Sequence, residues 1–257
     1  MEITFKDTKI YYTSHGSGQP LVLLHGFLES HLIWKDFIPD FSKYGQVITI
    51  DLPGHGNSGC IGEVHSMELM AEAVHDVLEE LQIQKSNFIG HSMGGYVTLA
   101  FAEKYPEMVQ DLMLLNSTPA ADSEEKKINR DRSVEVVQKN KKAYISMAIS
   151  NLLPPENDKK FSEEVQELKD RAYRSATKGI TAALKGMKER KDRTNVLKNF
   201  KRHKVIVAGK RDPIMDWEKI KALAAQCGCD FFSFSGGHLS YIENKNEFFK
   251  LCISSIK

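Results

Sequence analysis

Short apolar runs punctuated by turn residues recur along the first half of the chain. Ile3 to Phe5, Ile10 to Thr13, Leu21 to Leu24, Val47 to Ile50 and Asn87 to Ile89 are each bounded by Gly, Pro, Asp or Ser, as buried strands are. Between the last two the period changes. From Ser66, a suitable N-cap, the apolar positions Met70, Ala73, Val74, Val77, Leu78 and Leu81 repeat at three and four, with Glu68 and Glu72 early. That predicts an amphipathic helix lying on a sheet, its acidic residues near the positive end of the helix dipole. A second helix is predicted from about Met93 to Lys104, with small residues (Ala100, Ala102) for close packing and Pro106 limiting its extension. Further strands are predicted at Leu112 to Leu115, Val205 to Ala208 and Phe231 to Phe234. Strands alternating with helices predict a mostly parallel sheet covered on both faces.

From 120 to 195 the rhythm breaks. Residues 121–195 carry 18 basic and 13 acidic side chains, a net of +5 that leaves −4 for the rest of the chain. The apolar residues here (Val134, Val137, Tyr144 to Ile149, Ala182, Ala183, Met187) have helical spacing, interrupted at Leu153-Pro154-Pro155. The expected organisation is therefore a core of 1–119 and 196–257 with a helical insertion at 120–195. Its basic excess is compatible with an acidic substrate, but because the charges are interleaved they are read as a solvated helical surface.

The 257 residues, 41% apolar and 27% charged with a net charge of +1, suit one large α/β domain or two small ones. They exclude a fibre, a disulfide scaffold and a basic nucleic-acid binder. The first residues lack the apolar stretch of a signal peptide, and no run approaches the roughly 20 apolar residues of a membrane span. A soluble, cytoplasmic protein is expected, monomeric or homodimeric, acting on a small molecule, with neither nucleic acid nor membrane as partner. Four cysteines are sparse, and Cys227 and Cys229 have neither redox nor zinc spacing; no metal site is expected.

The sharpest local signal is Gly90-His91-Ser92-Met93-Gly94, directly after a predicted strand and before a predicted helix. A serine at so sharp a turn is held in a strained backbone, and the flanking glycines remove side chains that would collide there. The serine also sits at a helix N-terminus, which favours negative charge developing on an attacked carbonyl. Such a hydroxyl needs a base, and the base an orienting acid, in the chain order Ser, acid, His. Asp212 follows the strand at 205–208 through Gly209-Lys210-Arg211, and His238 follows the strand at 231–234 through Ser235-Gly236-Gly237. Both loops fall at the sheet edge of Ser92. His15, His25, His31, His55, His65 and His75 all precede the serine, His203 lies at the wrong end of its strand, and His91 is read as pointing away from Ser92. Asp216 and Glu243 are less directly placed than Asp212, and the alternative position after the strand at 112–115 carries Asn116. For the oxyanion, the natural donors are the backbone N–H groups of Met93 and of Phe27, the latter in the turn His25-Gly26-Phe27-Leu28.

Together with the Asp51-Leu52-Pro53-Gly54-His55-Gly56-Asn57-Ser58 loop, these motifs resemble the α/β-hydrolase superfamily, in its small branch with a helical cap, from about His15 to Ile256. The resemblance implies an eight-stranded, mostly parallel sheet with helices on both faces, 120–195 as a lid over the catalytic edge, and no cofactor. Dehalogenases and epoxide hydrolases of this fold use Asp as nucleophile and dienelactone hydrolases use Cys, whereas position 92 is Ser. The longer Gly-Pro oxyanion signature of proline iminopeptidases is missing. Hydrolysis of an ester, lactone, thioester or carbon–carbon bond remains, or a lyase resembling the menaquinone-pathway synthase; some members with a whole triad act as small-molecule receptors. The pocket is expected to be lined by Phe27, Leu28, Met93, Ile214 and Leu239, with Met147, Ile149, Leu152 and Leu153 from the lid, and so to favour a small neutral acyl group. Glu29 is a candidate substrate contact, and Trp34 is read as packing under the lid.

Overall fold

Each of the predicted apolar runs is a strand in the computed structural model, which describes residues 1–157 and 159–255. Ile256 and Lys257, the ends of the expected resemblance and core segment, lie outside these residues. The strands are β1 (Glu2–Phe5), β2 (Thr8–His15), β3 (Pro20–Leu24), β4 (Gln46–Ile50), β5 (Ser86–His91), β6 (Val109–Leu115), β7 (Lys204–Gly209) and β8 (Asp230–Phe234). They form one eight-stranded sheet in the order β1-β2-β4-β3-β5-β6-β7-β8. β2 pairs antiparallel with both β1 and β4, and the remaining pairings, from β4 through β3, β5, β6 and β7 to β8, are parallel. The central strands are apolar without alternation because helices cover both faces.

The helices are α1 (Ile38–Phe41), α2 (Met67–Glu80), α3 (Met93–Lys104), α4 (Glu124–Ser150), α5 (Ser162–Ala172), α6 (Thr177–Glu189), α7 (Thr194–Asn199), α8 (Trp217–Cys227), α9 (Ser240–Glu243) and α10 (Lys245–Ser255). Ser66 caps α2 through its hydroxyl, which accepts from the Leu69 N–H at 3.1 Å. α4 to α6 all lie between β6 and β7, in the segment expected to be helical. α4 is two helices joined at Asn140, whose backbone is non-helical (φ −153°, ψ 80°). The Asn140 carboxamide oxygen accepts from the Ala143 N–H at 3.0 Å and so caps the second half. α7 runs across the expected boundary at 195 and packs on α8.

Register places the site. Leu24 pairs with Gly90, His91 with Leu115, Leu115 with Val207 and Gly209 with Phe234. The carboxyl ends of β3, β5, β6, β7 and β8 are therefore level, and their loops share one edge, where ligands of open α/β sheets bind. Trp34 is fully buried beside Phe37, Tyr241 and Phe248, with ring centroids 6.1–6.4 Å away. It belongs to this core cluster, where burial of each large ring contributes about 2–3 kcal/mol.

Candidate active site

Ser92 stands between β5 and α3 at φ 51° and ψ −114°, a positive-φ conformation that serine adopts only under constraint. A side chain at Gly90 would run into the Gly94 carbonyl 2.5 Å away, which is why the turn needs glycine. The Ser92 N–H donates to the Leu115 carbonyl at 2.9 Å, and its C=O accepts from the Ser117 hydroxyl at 2.7 Å. The turn is thus tied to the end of β6.

The three loops converge on this hydroxyl. His238 Nε2 lies 2.9 Å from Ser92 Oγ, and His238 Nδ1 lies 2.7 Å from Asp212 Oδ2. Asp212 Oδ1 accepts from the Ile214 and Met215 N–H groups at 2.8 and 3.0 Å, and Oδ2 also accepts from Asn116 Nδ2 at 3.1 Å. Burial alone would raise the Asp212 pKa; the His238 charge and hydrogen bond, with those donors, outweigh it and hold the carboxyl below its ordinary value. Asn116 also donates to the Gly237 carbonyl at 3.1 Å. The His238 loop is fixed from two further sides. Glu243 accepts from the Gly237 N–H at 2.9 Å, and the His238 N–H donates to the Leu152 carbonyl at 3.0 Å.

A second carboxylate–imidazole pair lies beside the first. Buried Glu29 accepts from the Gly26 N–H at 2.6 Å, from His91 Nδ1 at 2.9 Å and from the Tyr241 hydroxyl at 2.9 Å. His91 Nε2 faces the His238 carbonyl at 3.0 Å. A carbonyl only accepts, so His91 donates from both nitrogens and is an imidazolium. Burial would lower its pKa, but Glu29 more than compensates and raises it, while Glu29 is held below its ordinary value against its own desolvation. His91 is bonded to Glu29 and to the His238 carbonyl, joining two loops of the site, and Glu29 braces the turn at Gly26.

That turn is closed by the Glu29 N–H on the Gly26 carbonyl at 3.3 Å, with Leu28 at φ 65°. His25 ties it to the loop after β4: Nδ1 bonds the Gly26 carbonyl at 2.7 Å and Nε2 accepts from the Leu52 N–H at 3.0 Å. Burial keeps His25 neutral in that tautomer, its pKa lowered, and pushes the neighbouring His55 down to about 3. Neither the Phe27 nor the Met93 N–H donates to another group among the described residues.

Ser92 and His238 open onto a cavity of about 260 Å³. Phe27, Leu28, Leu152 and Ile214 line it, as expected from the sequence. Leu239 and Met147 do not. Leu239 is fully buried where the chain turns from His238 into α9, and Met147 is 53% exposed. In the second half of α4 the cavity is met by Tyr144 and Ala148, four residues apart, so Met147 falls on another face. Met93, Ile149 and Leu153 pack into the core cluster. Two of the insertion's charges, exposed Lys126 and half-buried Arg130, line the cavity. A larger cavity of about 380 Å³, against Gln19, Asn87 and Asp111, contains neither Ser, Cys nor His. Among the described residues no cluster of three or more His, Cys, Asp or Glu could hold a metal, and no helix is long and apolar enough to cross a membrane.

The sequence profile of the alpha/beta hydrolase fold family matches residues 19–245. The chain belongs to this family. As an α/β hydrolase it is similar to a thermophilic esterase of Thermogutta terrifontis, with a TM-score of 0.92 at 28% identity over 99% of this chain and 96% of that one. It is 32% identical over 106 residues to the (E)-2-((N-methylformamido)methylene)succinate hydrolase of Acinetobacter baylyi, covering 41% of this chain and 40% of that protein. It is 35% identical over 111 residues to a soluble epoxide hydrolase of Corynebacterium sp. strain C12, covering 43% and 39%. The matched stretch thus spans about two-fifths of the length of these two curated relatives.

Proposed function

We propose that this α/β hydrolase cleaves a small carboxylic ester, lactone or thioester through an acyl-enzyme on Ser92. The observation that carries this is the unbroken relay from Ser92 Oγ through His238 to Asp212, at 2.9 and 2.7 Å, opening onto a half-open cavity of about 260 Å³. His238 removes the Ser92 proton as the hydroxyl attacks the carbonyl, and Asp212 stabilises the imidazolium that forms. The Phe27 and Met93 N–H groups, not engaged elsewhere among the described residues, hold the oxyanion. The alcohol leaves with the proton from His238; water, activated by the same base, releases the acid. Residues 120–195 act as the cap that covers this edge. The esterase of Thermogutta terrifontis supports ester chemistry. An epoxide hydrolase is also among the relatives, but a serine at position 92 suits acyl transfer. No cofactor enters the scheme. A cytoplasmic location suits the four free cysteines.

A fluorophosphonate probe should label the wild type at Ser92 and leave Ser92→Ala unlabelled. The same variant should lose about 10⁴-fold or more in kcat on short 4-nitrophenyl esters. Undiminished turnover by Ser92→Ala, or a protein that binds esters without turning them over, refutes the assignment.

A further inference from the structure

The first half of α4 brings a polar face to the cavity edge, where Lys126 and Asn129 are exposed and Arg130 and Ser133 half-buried. Lys126, Asn129, Arg130 and Ser133, at i, i+3, i+4 and i+7, share one face and line the cavity. On the outward side, Ile128 and Val136 are 50% and 41% exposed. Facing this polar wall are apolar side chains, among them Leu28, Leu184 and Met187. The only carboxylate lining the cavity among the described residues is Glu29, and it is committed to His91, Gly26 and Tyr241.

The two cations are not spent elsewhere. Lys126 has no carboxylate within ion-pair distance among the described residues, and Arg130 is anchored only through Nε, on Asp122, leaving its two terminal nitrogens unpaired there. Asp122 is shared with buried Arg190, whose guanidinium lies 4.1 Å from the ring centre of Tyr96, itself a cavity residue. One carboxylate between two guanidiniums leaves a local excess of positive charge, and Arg130 is only 20% exposed. Cations at the edge of a mostly apolar, half-open cavity attract an anion more strongly than the same charges in bulk water.

We infer that Lys126 and Arg130 form a carboxylate-binding subsite and that the substrate of Ser92 is a small ester that also carries a free carboxylate. This rests on the serine-hydrolase reading and narrows its substrate class. The sequence pattern alone suggested a neutral acyl group; the orientation of α4 reverses that. The carboxylate can sit on the acyl side, as in a half-ester of a dicarboxylic acid, or on the alcohol side.

The test is hydrolysis followed by pH-stat titration. Monomethyl glutarate is compared with methyl pentanoate for the acyl side, and 3-acetoxypropanoate with propyl acetate for the alcohol side. In one of the two pairs the charged ester should have a kcat/KM at least about tenfold higher. Lys126→Met should reduce that ratio about tenfold, chiefly through KM, and Lys126→Glu should invert it. Raising the salt to about 0.5 M should compress the wild-type ratio. Because Arg130 also holds Asp122, Arg130→Lys is the second variant, keeping charge and losing the fork, and it should lower the ratio by less than Lys126→Met. If Ser92 is labelled and neutral esters are turned over as well as or better than both charged ones, the subsite is overturned and the hydrolase reading stands. A charge preference indifferent to both variants overturns it too. If Ser92 takes no label and no ester is hydrolysed, the hydrolase reading falls and this inference with it.

Discussion

Asn116 shows how one side chain can decide the quality of a site it never leaves the second rank of. It occupies a left-handed backbone at φ 46°, a conformation that asparagine tolerates better than most residues. Its amide donates to both Asp212 and the Gly237 carbonyl, so it aligns the acid and the loop of the base at once. Asn116→Gly keeps the backbone and removes both hydrogen bonds. Asn116→Asp keeps the backbone and turns a donor into a like charge against Asp212. The first should lower kcat about tenfold, and the second about a hundredfold, both with little change in KM. Steady-state kinetics on a short ester decide this; equal losses, or losses confined to KM, would show that Asn116 only fills space. Ser92, Asp212 and His238 stand out in the sequence because each follows a strand at a turn of distinctive composition, and the structure brings the three within hydrogen-bond distance. Asn116 was noticed only as a position without an acid. Its partner lies 96 residues away in sequence, and spacing carries no information about a donor at that separation.

Glu29 and His91 act between elements. Through them the turn after β3 (Gly26), the end of β5 (His91), the loop after β8 (the His238 carbonyl) and α9 (Tyr241) are one hydrogen-bonded unit. Strand periodicity and turn residues were enough to place all eight strands and the helices α2 and α3. They could not show that a glutamate three residues beyond a glycine folds back to bind it, because that depends on the turn closing with Leu28 at positive φ. The pair has a pH signature. His91 has its pKa raised in the folded state, so its stabilisation is fully present below the ordinary imidazole value and is lost as pH rises through the raised one. Glu29, held low, loses its contribution only in acid, as pH falls through its depressed value. In Glu29→Gln the buried His91 has no counter-charge and stays neutral. The Tm of the wild type should therefore exceed that of Glu29→Gln by an amount that grows as pH falls from about 8 to about 5.5. Of the other buried histidines, His55 and His65 take nothing from Glu29 and cancel in the difference, while His25, which Glu29 pulls up against its burial, changes in the same direction as His91. Thermal melts across that range, showing a gap that is constant or narrows in acid, would remove the imidazolium from the account.

At the scale of the whole molecule, the charge pattern, +5 for residues 121–195 against −4 for the remainder, marks out the segment expected as an insertion, but not how it is fastened or which way it faces. Both depend on contacts between segments far apart in sequence. The two ends of the insertion meet: the Arg193 N–H donates to the Pro119 carbonyl at 2.8 Å, and Arg190 reaches the Ala120 carbonyl at 3.2 Å. Arg193 is the fastening. Its guanidinium is almost fully buried, with Nε 2.9 Å from Glu103 on α3 and a terminal nitrogen 2.7 Å from Glu68 on α2. One side chain at the base of the insertion therefore grips both helices that flank the central strands. The two glutamates are partly exposed and can be hydrated without it, so most of the loss on removing Arg193 comes from its own charge-assisted bonds and packing. Arg193→Met should destabilise the protein by about 2 kcal/mol in urea unfolding. Arg193→Lys should recover only part of this, since an ammonium cannot span both partners as the planar guanidinium does. Loosening at the base should also appear locally, as tryptic cleavage between residues 120 and 195 under conditions where the wild type and the sheet segments of the variant stay intact. Cleavage that begins in the sheet segments, or no cleavage below the unfolding transition, would mean that the insertion is held by its packing along α4 and α6, with Arg193 contributing only to overall stability.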